Sequence, residues 1–348
     1  MTMHLRKLIT LVAAAAVALL GATGAQPTAG SSGVRVLRTA TYVTGLAADG
    51  SLAAVSTTAC GASQYQLYAW NPVRRSVVSM VSRHLRECGS EWIDDAGIAG
   101  ARLAWVPSGG GGNTSESWLV TAMTQKPRST TRLTEGKVHS NDSGVGDSVG
   151  NVHGDGSLLV FNTWSVCERI YEDSCPEGTP PGRFPSYNGK LWRIVGGRKR
   201  LLVAGMDGLA VLSVAAGRIL VGRANGSLEL RRADGSLLRS FPFRRDEVRA
   251  ALIDASRLVV LDHGSSLTWR VYDLVSGEQK RVFAAPGRAV AADVERGLLV
   301  YTVGRFVHVL RLADGRQRVF LAPVVKSRDD VYLQSVFAQI EPSGLFYS

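Results

Sequence analysis

Residues 252–283 read LIDASRLVVLDHGSSLTWRVYDLVSGEQKRVF, three apolar runs in 32 residues separated by short polar turns. Leu258, Val259, Val260 and Leu261 form the first run. Leu267, Trp269, Val271 and Leu274 form a second, mostly alternating one, and Val282 and Phe283 close the third. Alternation with period two marks strands whose opposite faces meet different surroundings. The same grammar recurs along the chain, so this stretch is one copy of a repeat.

Working outward, one half of the unit is a turn followed by an apolar strand. It appears at 48–55 (ADGSLAAV), 100–106, 154–161 (GDGSLLVF), 216–222, 255–261, 296–302 and 343–348. Its anchoring aliphatics are Leu52, Leu103, Leu158, Ile219, Leu258, Leu298 and Leu345. The other half is a strand, a tight turn and an outer strand, as in LELRRADGSLLRSF (228–241) and VLRLADGRQRVF (309–320). Gly197, Gly235, Gly277 and Gly315 mark the turn, where a positive φ costs glycine little. Trp70, Trp118, Trp192 and Trp269 fall on the third strand of their units, and packing between adjacent blades is the reading they favour. Such units cannot bury both faces of their sheet alone and must stack on neighbours. The expectation is an all-β chain, a β-propeller of four-stranded antiparallel blades, with seven blades favoured over six or eight. The strand Val34–Arg38 is too short to be a blade and is expected to close the ring beside the two strands of 331–348.

On these turns and strands the chain resembles the TolB-like and WD-repeat propellers. Ala48-Asp49-Gly50-Ser51 and Gly154-Asp155-Gly156-Ser157 approximate the turn that precedes the apolar strand in the TolB-like repeat, and Glu341-Pro342-Ser343-Gly344 is a more distant version. Tyr272-Asp273 followed by Leu274-Val275-Ser276-Gly277 comes nearest to the Trp-Asp ending of a WD repeat, and Trp70-Asn71 is a weaker echo. The resemblance covers residues 34–348 and is architectural, and folds of this kind host unrelated functions.

The first 25 residues are of another character. Arg6 and Lys7 precede an uncharged run from Leu8 to Leu20, and Thr23 and Ala25 suit the −3 and −1 positions of a cleavable signal peptide. An uncleaved anchor is the rival reading. Residues 26–33 are a flexible lead-in, and 34–348 form a single propeller domain. Export implies a secreted or cell-envelope address with no membrane span after cleavage; a monomer is expected. It also makes the four cysteines readable as disulfides. On the blade pattern Cys60 and Cys88 fall on loops of one face, and Cys167 and Cys175 share one insertion. The pairings 60–88 and 167–175 are thus the local ones among three connectivities. C-x7-C without paired His is poor zinc spacing, and no metal or cofactor is expected.

Binding groups are expected on the face that carries the loops between second and third strands and the links between blades. That face receives the insertion 163–189, with its two cysteines, four acids and four prolines. Long loops on a rigid scaffold are where binding groups concentrate, and aromatics give contact area with few rotors to freeze. Trp92, Trp164, Tyr171 and Tyr187 are the candidate contacts, with Asp94, Asp95, Asp142 and Asp147 supplying polarity. The glycine run Gly109–Gly112 lacks the Lys-Ser/Thr of a phosphate loop. A calcium loop counted from Asp142 fails because its twelfth position is His153.

Net charge is +11, or +9 once Arg6 and Lys7 leave with the leader. Bases recur around the outer hairpins, either as a collar for anionic envelope polymers or as protection of edge strands, and the second is favoured here. Export and the lack of interleaved aromatics argue against nucleic acid. No H-E-x-x-H or dinucleotide fingerprint is present, and the G-x-S-x-G spacing at 146–150 (GDSVG) is not a nucleophile elbow, since no helix is expected after it. His84, His139, His153, His263 and His308 are scattered, and Asp262-His263 is the one dipeptide suited to acid/base work. The reading is a secreted or envelope-associated scaffold that binds an unidentified protein or envelope polymer through its loop-rich face. The alternative is an extracellular enzyme, a polysaccharide lyase or hydrolase, with its site at the central channel.

Overall fold

The computed structural model describes residues 9–13, 35–39, 42–59, 64–84, 91–111, 114–139, 146–167, 175–177, 179, 186–206, 208–244, 247–262, 267–322, 336–341 and 344–347. Within them every regular element is a strand and every ladder is antiparallel. Four-strand meanders follow one another at 42–84, 91–139, 146–206, 210–241, 248–284 and 290–321. The second and third of these merge into one eight-stranded sheet through a single pair, Val138↔Gly146. Ala338–Glu341 and Gly344–Tyr347 follow as a two-stranded unit among the described residues. The first strand of each unit contacts the first strand of the next. Ala338–Glu341 in turn contacts Tyr42–Asp49, so the first strands close a ring around an axis and the sheets form a β-propeller.

The opening stretch shows why the chain folds this way. Arg257–Asp262 is a second strand, buried over its last five residues. Leu258 and Val260 join an apolar cluster with Leu220, Leu230 and Phe241 of the preceding unit. Val259 and Leu261 join Leu299, Tyr301 and Leu310 of the following one. A second strand is thus covered on both faces, and its aliphatics run without interruption where an exposed face would show polar residues. Each seam between units holds a cluster of this kind. Each fully buried aliphatic contributes about 1.5–3 kcal/mol, so the seams carry most of the burial that holds the ring together.

The third-strand tryptophans divide. Trp70 meets Phe346 edge-on across the last seam, with ring centroids 6.1 Å apart, and Trp269 meets Tyr301 of the next unit at 5.2 Å. Trp192 stacks on Phe161 of its own unit, and Trp118 lies under Arg132. The hairpin glycines are where the repeat puts them. Gly235 has φ 91°, and a Cβ there would come within 2.8 Å of Leu202 Cβ, so both conformation and space demand glycine.

Closure at the chain's start takes a different form from the one expected. Among the described residues no ladder joins Arg35–Thr39 to either of the last two strands. Arg35–Thr39 pairs instead with Ile9–Ala13, from the segment read as a leader, over five residues from Ile9↔Thr39 to Ala13↔Arg35. The physical reason is that an open strand edge takes the nearest apolar, β-forming segment, and ITLVA is one. Leu37 still reaches the final seam, sharing a cluster with Phe346, Ala53 and Trp70. Cys167 and Cys175 are bonded, with an S–S distance of 2.09 Å. Cys60 and Cys88 lie outside the described residues, as do Asp142 and Tyr171. Among the described residues no helix is long and apolar enough to cross a membrane.

Candidate functional site

Each first strand pairs with its own second strand on one side and turns its other edge toward the axis. Backbone amides on such an edge need partners. Side chains of the preceding unit supply them in two tiers, and the local cause is a recurrent irregularity. The ladder between first and second strands shifts register at Ile93/Asp95, Gly150/His153, Val211/Ser213 and Ala291/Asp293. The residue after each shift reaches across to the next unit. Asp95 Oδ2 accepts from the Val152 amide at 2.6 Å, Ser213 Oγ from Ile253 at 3.2 Å, and Asp293 Oδ2 from Ile340 at 2.9 Å. His153 bonds the Val211 backbone.

The second tier sits at the hairpin between first and second strands. Asp49 accepts from the amides of Gly100 and Gly156, the latter at 3.1 Å. Asp155 accepts from Ala216 at 2.6 Å and Asp254 from Gly297 at 2.9 Å. Glu341 accepts from Gly50 at 2.9 Å and so joins the last unit to the first. Most of these groups line an axial cavity of about 200 Å³, whose wall includes Asp49, His153, Asp155, Ser213, Asp293 and Glu341 together with Glu295, but neither Asp95 nor Asp254. Burial pushes the Glu341 carboxyl up to about 8, against the opposing pull of the Gly50 amide, and Asp293 up to about 7. Asp95 rises to about 6, and Asp155 and Glu295 also rise, all chiefly through burial. Burial drives His153 the other way, to about 4, so its ring is neutral.

Titratable groups therefore do converge on the axis, as a channel enzyme would require. Their oxygens, however, are largely engaged. Both oxygens of Asp49 and both of Asp293 accept main-chain amides. Among the described residues no group of three or more His, Cys, Asp or Glu is arranged to hold a metal ion. The arrangement seals seams between units and leaves a partly protonated acidic lining.

The candidate residues drawn from the sequence lie at the other end of the strands. Asp147 pairs across the ladder with Ser165, and Ser165 with Tyr187, while Ser148 pairs with Trp164. Asp147 and Tyr187 thus flank Ser165 on the third unit, and the Ser165 hydroxyl donates to Asp147 at 2.7 Å, while Trp164, the neighbouring strand residue, lies on the opposite face of the sheet. Trp164 is half-buried over Gly150, where a Cβ would stand 3.2 Å from its ring. Trp92 donates its indole N–H to Asp94 on the second unit. Asp95 is not with them, since its carboxylate is turned into the channel wall. Of the other acid/base candidates, Asp262 is paired with Arg270, and His308 stacks on Tyr301 with centroids 4.7 Å apart.

Sequence reasoning missed the axial carboxylates, although a signal was present. Asp49-Gly50, Asp155-Gly156, Glu295-Arg296-Gly297 and Glu341-Pro342-Ser343-Gly344 all place an acid at the end of a first strand, just before the turn glycine. Read as turn grammar alone, the acid's reach to the next unit is invisible.

No protein-family model matches the chain, and no curated protein matches it. Among solved structures it is similar to the WD40 β-propeller domain of Doa1, at 12% sequence identity and a TM-score of 0.50, over 88% of this chain and 93% of that one. The computationally designed Ika8 protein (12% identity, TM-score 0.43, 88% and 96% covered) shows a weaker likeness. So does the β-propeller domain of the Trilobed protease from Pyrococcus furiosus (13%, 0.40, 80% and 97%). At such identities the likeness shows the fold alone.

Proposed function

We propose that this chain is an extracytoplasmic binding scaffold that captures a protein or an envelope polymer on its loop-rich face. The observation that carries the reading is the division of labour between the two ends of the strands. At the axial end, carboxylates are consumed in bonds between units. At the loop end, Asp147 and Tyr187 flank Ser165 and Trp164 lies on the other face of the same strand, all at the edge of the 163–189 insertion, which the Cys167–Cys175 bond ties at its root. A tethered loop loses less entropy on meeting a partner than a free one. The uncharged leader run from Leu8 to Leu20 and the same disulfide support the address. Exported material beginning at Gln26 would test it.

The test of the site compares three forms against a partner recovered by surface cross-linking. They are the natural chain, a form lacking 168–183 with Cys167→Ser, and the axial variant Asp293→Asn/Glu341→Gln. Loss of binding in the loop deletion with retention in the axial variant supports the reading. The reverse pattern would move the site to the axis and favour the enzyme.

A further inference from the structure

The six fourth strands form the rim, and they carry twelve Lys or Arg side chains against a single acid, Glu135. The first strands around the axis carry the reverse, nine acids against one base, Arg249. All the rim bases but Arg239 are exposed. Arg198, Lys199, Arg200, Lys280, Arg281 and Arg318 fall within the first three residues of their strands, beside the hairpin turns. Of these six, only Lys280 has an acidic partner among the described residues, Glu278.

Protection of an edge strand is met by scattered charges, lysines especially, and does not call for runs of them. Three consecutive like charges at 198–200 repel one another, a cost that mixed signs would avoid. The chain has acids to mix in, and of the ten on first and fourth strands nine are on first strands. Edge protection therefore accounts for isolated bases and not for the run at 198–200.

We propose that the rim binds a linear polyanion, a flexible chain of sulfate, phosphate or carboxylate groups that follows several units. The inference is independent of the loop-face reading. A flat anionic membrane fits less well. Approaching end-on, it would meet the exposed hairpin acids Asp234, Glu278 and Asp314 and the axial carboxylates. Approaching side-on, it would touch one or two units of a curved rim. A nucleic acid would seek a row of aromatic platforms, and the described rim offers two rings beneath cations, Trp118 under Arg132 at 5.3 Å and Trp192 under Lys199 at 4.9 Å, on separate units. Between the fifth and sixth units a crevice of about 270 Å³, lined in part by Arg257, Lys280 and Arg281, has room for a charged group of such a chain.

The test is fluorescence anisotropy with labelled heparin at about 0.15 M ionic strength, where the Debye length is about 8 Å. The rim variant Arg198→Ser/Lys199→Ser/Arg200→Ser is compared with Arg244→Ser/Arg249→Ser/Arg288→Ser, which removes the same charge from exposed positions at the loop end. The rim variant is expected to bind about tenfold more weakly, with a log–log salt slope shallower by about two, while the control changes less than about twofold. Circular dichroism melts establish that both variants fold. Equal losses in the two variants would reduce the effect to net charge and overturn the proposal. So would the absence of heparin binding by the natural chain, or tighter binding to phosphatidylglycerol vesicles or single-stranded DNA than to heparin. The 168–183 deletion should leave heparin binding unchanged, so failure here is separable from failure of the loop-face site.

Discussion

The innermost and outermost strands of this propeller are both edge strands, and they meet the problem of an open edge with opposite charges. At the axis the acids are spent on neighbouring backbone. Asp95, Asp155, Asp254, Asp293 and Glu341 each accept an amide from the following unit. At the rim five of the twelve bases have an ion pair or a ring beneath them among the described residues, and the other seven have neither. The difference follows from what each edge faces. The axis is narrow, so a short carboxylate reaches the next unit's amide, and a Lys or Arg there, having donors only, could not accept from it. The rim faces water, where a long cationic side chain keeps its head solvated and its stem on the sheet. Charge inside is therefore structure, and charge outside is free to recognise something.

The sharpest way to break this comparison is to remove one inner carboxylate. Asp254 is 1% exposed and accepts from the amides of Ser256, Arg257 and Gly297 as well as from the Arg257 guanidinium. Asp254→Ala leaves those donors buried without an acceptor and is expected to cost about 3 kcal/mol. That corresponds to a melting temperature lower by roughly 4–5 °C. Arg318→Ala at the rim should stay within about 0.5 kcal/mol. Similar losses at the two positions in parallel thermal melts would abolish the distinction.

A second, smaller effect is set by pH. Glu341 and Asp293 hold their protons to about 8 and about 7 in the folded chain, well above ordinary carboxyl values near 4. Between those limits the folded state binds more protons than the unfolded state, so stability falls as pH rises through the window. Stability from this source is complete below about pH 4 and lost above about 8. Glu341→Gln keeps an oxygen for the Gly50 amide and removes the titration. Its melting temperature should decline less between pH 5 and pH 8.5, ending about 2 °C above the natural chain. A natural chain that becomes more stable toward pH 8.5 would contradict the assignment of these groups.

What the sequence made legible and what it hid divide along the same line. Second strands announce themselves because both their faces are apolar, as Leu258-Val259-Val260-Leu261 does. Hairpins announce themselves through local conformation, as at Gly235 and Gly277. These are properties of one unit, and a linear reading finds them. The staples belong to two units at once. Nothing near Asp49 in sequence shows that its partners are Gly100 and Gly156, and the register shift that aims Asp293 at Ile340 exists only in the ladder. Asp95 illustrates the cost. Grouped with Trp92 and Asp94 as surface polarity, it belongs to the channel wall, because the shift between Ile93 and Asp95 turns the chain there. Closure of the ring was anticipated in kind but not in partner, since pairing between chain ends depends on which segment reaches an open edge first.

The smallest expected effect lies at the rim, and its sign is informative. If Arg198, Lys199 and Arg200 are merely protective, their charges repel one another and nothing offsets that cost in the isolated chain. Replacing all three by Ser should then leave stability unchanged or raise it by a few tenths of a kcal/mol, within the range of exposed substitutions. Salt supplies a second reading of the same quantity. Added salt shortens the Debye length from about 30 Å at 0.01 M to about 3 Å at 1 M and weakens repulsion between exposed like charges. The natural chain's melting temperature should therefore rise with sodium chloride, and the triple variant's should rise less. A triple variant that melts well below the natural chain would show that these side chains hold the edge through their stems or through Lys199 over Trp192. The rim would then be structural like the axis, and the contrast between inner and outer charge would fail at the point where it carries a function.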